Sequence, residues 1–206
     1  MKRSPIEAVA RGAGARLVEE GGWQVVQAGT AVGLDGLVLS DQSARGKLFV
    51  KGQAAEGVLA AVWGVPALAV NQGALIGAGA VYRLRRDLFL VNTAVGGETA
   101  MQAQLEAAIQ GQGVFVTVME GTHGRFQFQL RGEKGPELLS RVCGLDFDEA
   151  QFPNLTAKQS SVAKTAQIIV RQDDEDGRAY FLIGGRSLGV YVWQVLVQAG
   201  RGFSNQ

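Results

Sequence analysis

Apolar residues along this chain recur with two different periods, and the two periods alternate in a regular order. Phe126, Phe128 and Leu130 alternate with polar residues, which is typical of a strand that buries one face. Pro136 then begins a segment whose apolar residues recur at helical spacing, which predicts an amphipathic helix. Short charged turns separate other apolar runs, as expected of hairpins. The pattern therefore predicts a chain of mixed α and β elements.

The predicted elements occur in the same order twice: a strand, a helix, two strands joined by a turn, and a second helix. The first set is predicted at 47–51, 55–62, 81–84, 88–91 and 98–110, and the second at 126–130, 136–142, 167–170, 180–183 and 187–196. Gly52 and Gly132 follow the first strand of each set. This duplication predicts an α+β fold of two ferredoxin-like βαββα units with antiparallel sheets. We expect one domain built from two intertwined halves, about 1–120 and 121–206.

The start of the chain has a helix signature. Ser4 can cap a helix, Pro5 suits its first position, and Glu7 is placed to complete a capping box with Ser4. A strand is expected at 23–26, where Trp23 begins an apolar run.

Composition and charge exclude several classes of protein. The chain has 206 residues, of which 47% are apolar and 19% charged, as in globular domains. The net charge of +1 gives no electrostatic reason to expect nucleic-acid binding. No apolar run approaches the ~20 residues that span a bilayer. The single cysteine excludes an internal disulfide. We therefore expect a soluble cytoplasmic protein with neither a nucleic-acid nor a membrane partner.

The residues with reactive side chains predict no catalytic site by themselves. His123 is the only histidine, which excludes a Ser-His-Asp triad and a multi-histidine metal site, and its place in a glycine-flanked turn predicts an exposed side chain. Cys143 is expected to be a small buried apolar residue. The acidic run Asp173–Asp176 lacks the ligand spacing of a calcium loop and is expected to be a solvated turn. No metal site is therefore predicted.

Several segments, in order, resemble the glycine-cleavage T-protein (aminomethyltransferase) superfamily. Its signature is similar to NQGALIGAGAVYRLRRDLFLVN at residues 71–92, and residues 4–23 and 39–59 resemble its N-terminal helix and its lysine-glycine strand. The second half is similar to the gamma subunit of heterotetrameric sarcosine oxidase, as in RVCGLDFDEAQFPNLTAKQSSVAKTAQIIVRQ (141–172) and FLIGGRSLGVYVWQVL (181–196). The resemblance implies the aminomethyltransferase folate-binding-domain fold without the C-terminal β domain of T-proteins.

The chain departs from the family at the residues on which the reaction depends. In the transferases a catalytic aspartate follows the conserved asparagine by seven residues, and counting from Asn92 places Thr99 there. The paired aspartates before the VYRL motif fall on Gly77 and Ala78, and no pterin-contacting glutamate can be placed after Arg171. The resemblance thus implies no catalytic residue and a vestigial folate cavity at Asn92, Thr99 and Arg171. Tetrahydrofolate is expected to bind weakly or not at all.

The resemblance implies a non-catalytic subunit or accessory protein of sarcosine, glycine and folate metabolism. Its expected partner is a larger flavoprotein subunit or a second copy of itself. The alternatives left open are a stand-alone folate-binding protein and an aminomethyltransferase-like enzyme. Phe147 and Phe152, in the long connection Cys143–Ser161, are the candidate partner-binding residues. The helix with Tyr191 and Trp193 is apolar on nearly every face, and we expect Trp193 to lie in the core.

Overall fold

The computed structural model describes residues 2–12, 15–26, 32–33, 37–77 and 79–201. In these ranges the strands are β1 (Lys2–Arg3), β2 (Leu17–Glu20), β3 (Trp23–Val26), β4 (Val32–Gly33), β5 (Val38–Asp41), β6 (Arg45–Lys51), β7 (Gly73–Ile76), β8 (Gly79–Arg85), β9 (Leu88–Val95), β10 (Thr117–Glu120), β11 (Arg125–Arg131), β12 (Thr156–Val162), β13 (Thr165–Arg171) and β14 (Ala179–Gly185). The helices are α1 (Glu7–Gly12), α2 (Ala55–Trp63), α3 (Glu98–Gln112), α4 (Gly135–Val142) and α5 (Gly189–Arg201), and a 3-10 turn spans Arg186–Leu188.

These elements form two compact units. Unit 1 comprises Met1–Ala44, His123–Asn154 and Lys158–Gln206, and unit 2 comprises Arg45–Thr122 and Leu155–Ala157. No helix in the described part of the chain is long and apolar enough to cross a membrane.

Unit 2 contains a five-stranded sheet in the order β10-β6-β9-β8-β7, in which each neighbouring pair is antiparallel. Helices α2 and α3 supply Val58, Leu59, Met101 and Leu105 to one apolar core, and the sheet supplies one of its faces. Gly64 ends α2 in the left-handed conformation, as its place in the sequence predicts.

Unit 1 contains a six-stranded sheet in the order β12-β13-β14-β11-β5-β4 and a small sheet in the order β1-β3-β2. The alternating apolar residues of β11 all lie in its core, where they meet Leu138 of α4 and Leu196 of α5. The strand and helix predicted from this alternation and from Pro136 are confirmed.

The predicted duplication is confirmed, but each repeat contains one strand more than was predicted, β7 in the first and β12 in the second. The run β6-β9-β8-β7 in unit 2 matches β11-β14-β13-β12 in unit 1. Strand β5 precedes β6 in the chain but pairs with β11, whereas β10 precedes β11 but pairs with β6. Each sheet thus takes a flanking strand from the segment that leads into the other repeat. This exchange of strands was not predicted from the sequence.

The predicted cap of the first helix is confirmed, but the predicted capping box is wrong. The Ser4 hydroxyl accepts a hydrogen bond from the Ile6 amide at 3.1 Å, as a cap should. The Ser4 amide, which the box would pair with Glu7, instead donates to the Gln24 carbonyl of β3 at 3.1 Å. The Glu7 carboxylate accepts a hydrogen bond from Arg11.

Candidate functional site

The first candidate residue, Asn92, lies buried near the end of β9, opposite Lys47 of β6. Its side-chain amide donates to the Gly46 carbonyl at 2.9 Å. The Lys47 ammonium is also buried and donates to the Arg45 carbonyl at 2.5 Å. The pairing of β6 with β9 shifts register between Arg45 and Lys47, so this end of the sheet departs from a regular ladder. Asn92 and Lys47 lie on the face of the sheet away from the apolar core of unit 2.

A buried carboxylate, Glu98, lies nearby at the start of α3. Glu98 is only 8% exposed, and its carboxylate oxygen Oε2 is buried without a hydrogen-bond partner in the described part of the chain. A Cβ added at Gly46 would lie 2.8 Å from this oxygen and 2.1 Å from the Thr93 hydroxyl. Gly46, Thr93 and Glu98 are therefore packed directly against one another, and only glycine fits at the first position. We call these three residues the Glu98 cluster.

Thr99 does not belong to this cluster. It is exposed on α3, because consecutive residues of a helix point about 100° apart. Counting seven residues from Asn92 therefore leads to a surface threonine, and the buried acid lies one residue earlier. From the sequence, Glu98 is considered only, together with Glu175, as an acid that could replace the missing pterin-contacting glutamate, and its place in this cluster is not predicted. The signal that could have found it is an acidic residue in the first turn of a predicted helix.

Arg171 lies buried at the end of β13 in unit 1, and its donors are used within that unit. Its Nε and Nη2 donate to the two carboxylate oxygens of Asp173 at 3.1 and 2.8 Å. Its Nη1 donates to the Glu149 carboxylate at 2.6 Å and to the Phe152 carbonyl at 2.9 Å. Hydrogen bonding to Asp173 raises the pKa of the Arg171 guanidinium against the opposing effect of burial. Arg171 thus holds the connection that contains Glu149 and Phe152 against the sheet.

Phe147 and Phe152 lie in the core of unit 1, with 2% and 0% of their surface exposed. The two rings stack with centroids 5.3 Å apart, and the Tyr180 ring packs edge-on against both. Burial raises the pKa of the Tyr180 phenol, whose oxygen has no hydrogen-bond partner. The two candidate partner-binding residues are therefore not exposed, because the connection folds over the sheet and its aromatic side chains complete the core.

The C-terminal helix has one buried and one exposed side. Trp193 is buried edge-on against Phe128 with centroids 5.1 Å apart, so its expected place in the core is confirmed. Tyr191 is partly exposed, and its hydroxyl donates to the Ala163 carbonyl at 3.0 Å. The expectation that α5 is apolar on nearly every face therefore does not describe its exposed side.

The remaining sequence candidates lie where they were expected. His123 is exposed in a turn, with its ring 5.6 Å from that of Trp23. Cys143 is buried and free. The acidic turn carries Asp174 and Asp176, which pair with Arg131. Among the described residues, no group of three or more His, Cys, Asp or Glu side chains is placed to hold a metal ion.

Comparisons with known proteins identify the fold. The family model described as the GCVT N-terminal domain matches residues 7–206. No curated protein sequence matches the chain. A chain of the heterotetrameric sarcosine oxidase from Corynebacterium sp. U-96, solved in complex with pyrrole 2-carboxylate, has a TM-score of 0.78 at 20% identity, with 100% of this chain and 97% of that chain covered.

The glycine cleavage system aminomethyltransferase T from Bartonella henselae has a TM-score of 0.81 at 19% identity. The match covers 97% of this chain and 58% of that one, so this chain spans little more than half of that enzyme. At these identities the two structures establish the fold and not the activity. The predicted aminomethyltransferase fold is confirmed.

Proposed function

Since the chain belongs to the GCVT N-terminal domain family, we propose that it is a non-catalytic subunit or accessory protein of one-carbon metabolism. The observation that carries this proposal is that Thr99 is exposed and stands where the family resemblance puts the catalytic aspartate. A threonine hydroxyl carries no charge and cannot act as a carboxylate base near neutral pH.

The hydrogen bonds of Arg171 support the same proposal. The Arg171 guanidinium already binds two carboxylates and a carbonyl of its own unit. A ligand would have to displace these charge-assisted hydrogen bonds, each of which contributes about 1.5–3 kcal/mol. We therefore expect little binding of tetrahydrofolate through Arg171.

The proposed partner is a larger flavoprotein subunit. Support comes from the match along nearly the whole length of a chain that belongs to a heterotetrameric oxidase. We further propose that residues 1–206 act as one folate-binding-type domain whose halves, about 1–120 and 121–206, are intertwined. The exchange of β5 and β10 between the two repeats supports this view.

One observation favours a second candidate, a stand-alone folate-binding protein or an aminomethyltransferase-like enzyme. Glu98 places a buried carboxylate oxygen without a hydrogen-bond partner one residue from the aspartate position. Such an oxygen could accept a hydrogen bond from a ligand amide or amine if Gly46 and Thr93 moved apart. This candidate requires Glu98, whereas the first does not.

Two measurements on the purified chain separate the candidates. The first is calorimetric titration with 5-formyltetrahydrofolate, compared between the natural protein and Glu98→Gln. The second is purification of a tagged chain from its own host, with the flavin content and sarcosine oxidation of the complex measured. The proposal expects weak folate binding that is unchanged by Glu98→Gln, and a stoichiometric flavoprotein partner.

The opposite results would support the second candidate. These are folate binding tighter than about 1 µM, or about −8 kcal/mol, that is lost in Glu98→Gln, together with a chain that purifies without flavin. Thr99→Ala is the matched control, since its exposed side chain should affect neither measurement.

A further inference from the structure

A groove in unit 1, separate from the Glu98 cluster and from Arg171, is lined by three arginines. It has a volume of about 630 Å³ and lies between α1 and the 3-10 turn before α5. Among the described residues, its lining contains Arg3, Arg11 and Arg186 and a single acidic residue, Glu7. Three guanidinium groups and one carboxylate leave a formal excess of two positive charges. The groove therefore attracts anions although the whole chain carries a net charge of only +1.

In this groove the side chains of Arg3 and Arg11 are exposed to solvent, whereas the glutamate side chain is largely buried. The Glu7 side chain is 12% exposed, whereas those of Arg3 and Arg11 are 69% and 57% exposed. Glu7 lies between them, 3.0 Å from Arg11 Nε and 3.7 Å from Arg3 Nε. Its carboxylate competes with a ligand for these two arginines but leaves most of their N–H donors available.

Arg186 contributes a donor that lacks a partner. Its Nη2 donates to the Arg3 carbonyl at 2.5 Å, which anchors the guanidinium at the groove. Its Nη1 is buried and has no hydrogen-bond partner among the residues that the structure describes. An unpaired buried donor on a charged group is costly, and a ligand oxygen that reached it would remove that cost.

The start of α5 adds to the positive potential. Gly189, its first residue, lies so close to Pro5 that an added Cβ would be 2.9 Å from the Pro5 Cβ, and Pro5 lines the groove. A helix of 13 residues carries a partial positive charge at its N-terminus. Three arginines, one of which carries an unpaired donor, thus line one concave surface, and the start of α5 lies next to its Pro5.

We propose that this groove binds the oxyanion group, phosphate or carboxylate, of a small molecule. The guanidinium fork matches both groups because it presents parallel N–H donors to two oxygens. The volume lies within the range of small-molecule sites, roughly 300–1,000 Å³. This inference does not depend on the proposed function, since none of the groove residues belongs to the Glu98 cluster or contacts Arg171 in the described structure.

The test is titration of the full chain with pyrophosphate and with citrate at constant ionic strength, with chloride as the reference. Binding is followed by calorimetry and by the Nε–H signals of the arginines in NMR spectra. We expect saturable binding with a Kd below about 1 mM. Arg186→Gln and Arg11→Gln should each weaken it about tenfold, the effect of losing one charge-assisted contact.

Two further variants make the test specific. Arg86→Gln removes one positive charge from an exposed turn of unit 2 and should leave binding unchanged. Glu7→Gln removes the competing carboxylate and should tighten binding several-fold, which a residue with a merely structural role would not do. Arg11→Gln keeps the test valid if Arg186→Gln disturbs the fold, because the Arg11 side chain is mostly exposed.

The relative affinities of pyrophosphate and citrate identify phosphate or carboxylate as the preferred group. The proposal is overturned if neither anion gives saturable binding. It is also overturned if Arg11→Gln has no more effect than Arg86→Gln, or if Glu7→Gln fails to tighten binding. An acidic peptide that binds where both small anions fail would likewise contradict it, because the groove would then be a protein-binding surface.

Discussion

Replacement of Phe152 by alanine would remove a ring that packs against two other aromatic rings in unit 1. Phe152 has no exposed surface, stacks on Phe147 and meets the edge of Tyr180. The side chain of Lys158 covers the ring, with its ammonium 5.2 Å from the centroid. Alanine would leave a cavity among these groups, and the Arg171 hydrogen bond to the Phe152 carbonyl limits how far the backbone can move to fill it.

The expected loss of stability is large. Burial of a phenylalanine side chain contributes about 1.5–3 kcal/mol by transfer alone, and the unfilled cavity and lost ring contacts raise the cost of Phe→Ala to about 3–5 kcal/mol. For a chain of this length each kcal/mol lowers Tm by about 2–4 °C. We therefore expect Phe152→Ala to lower Tm by roughly 6–20 °C.

The assay is thermal and urea unfolding of the purified chain, followed by circular dichroism. Phe115→Ala is the matched control, because the same ring is 93% exposed there and its loss should cost less than about 0.5 kcal/mol. A loss below about 1 kcal/mol in Phe152→Ala would refute the assignment of Phe152 to the core. Such a result would restore the hypothesis that this ring serves a partner surface.

Three further outcomes are expected, each measurable by urea unfolding. Gly46→Ala should destabilise the fold by several kcal/mol, because the added Cβ would lie 2.1 Å from the Thr93 hydroxyl. At Gly57 in α2 an added Cβ meets no described atom within 4 Å, so Gly57→Ala should stabilise the fold by about 0.5–1 kcal/mol. Equal effects of the two substitutions would contradict this packing. Arg171→Met should cost about 2 kcal/mol or more, because it removes the donors that bind the buried Phe152 carbonyl and the Asp173 and Glu149 carboxylates. Arg131→Gln, at an exposed ion pair, should cost at most about 1 kcal/mol. Burial raises the pKa of the Tyr82 phenol, so the unfolded chain loses this proton at a lower pH than the folded chain. The free energy of unfolding should therefore fall as pH rises above about 10, and it should fall less steeply in Tyr82→Phe. A pH profile unchanged by Tyr82→Phe would refute this linkage.

The sequence alone determined the elements shared by the two repeats and their recurrence, apart from β7 and β12, which it did not predict. The alternation in β11 and the helical spacing after Pro136 report which face of each element is apolar, and this depends only on local geometry. The solitary His123 and Cys143 likewise exclude whole classes of site, because a histidine cluster or a disulfide needs more than one such residue. The motif at residues 71–92 pointed to the family by its resemblance to related sequences. Such a resemblance reflects common ancestry and does not follow from the spacing of apolar residues.

Which strands pair was decided only by the tertiary structure. The apolar and polar residues of β5 or β10 could pair equally well with any strand that offers backbone hydrogen bonds and an apolar face. The spacing of apolar residues therefore does not show which strand is the partner. The exchange of these two strands between the repeats depends on contacts between distant parts of the chain. The same reason explains why the capping box predicted at Ser4 does not form: the Ser4 amide donates its hydrogen bond to the Gln24 carbonyl of β3 instead.

Burial of irregular segments and the convergence of charges were also decided in three dimensions. Phe152 lies in a stretch without a period, so its burial follows from the sheet beneath it and from Arg171, which lies 19 residues away in the sequence. Glu98 and Thr99 are neighbours in sequence, and only the direction of α3 buries one and exposes the other. Arg3 and Arg186 are 183 residues apart and meet at one groove. Periodicity records the local direction of side chains, whereas a site arises where the folded chain brings distant side chains together.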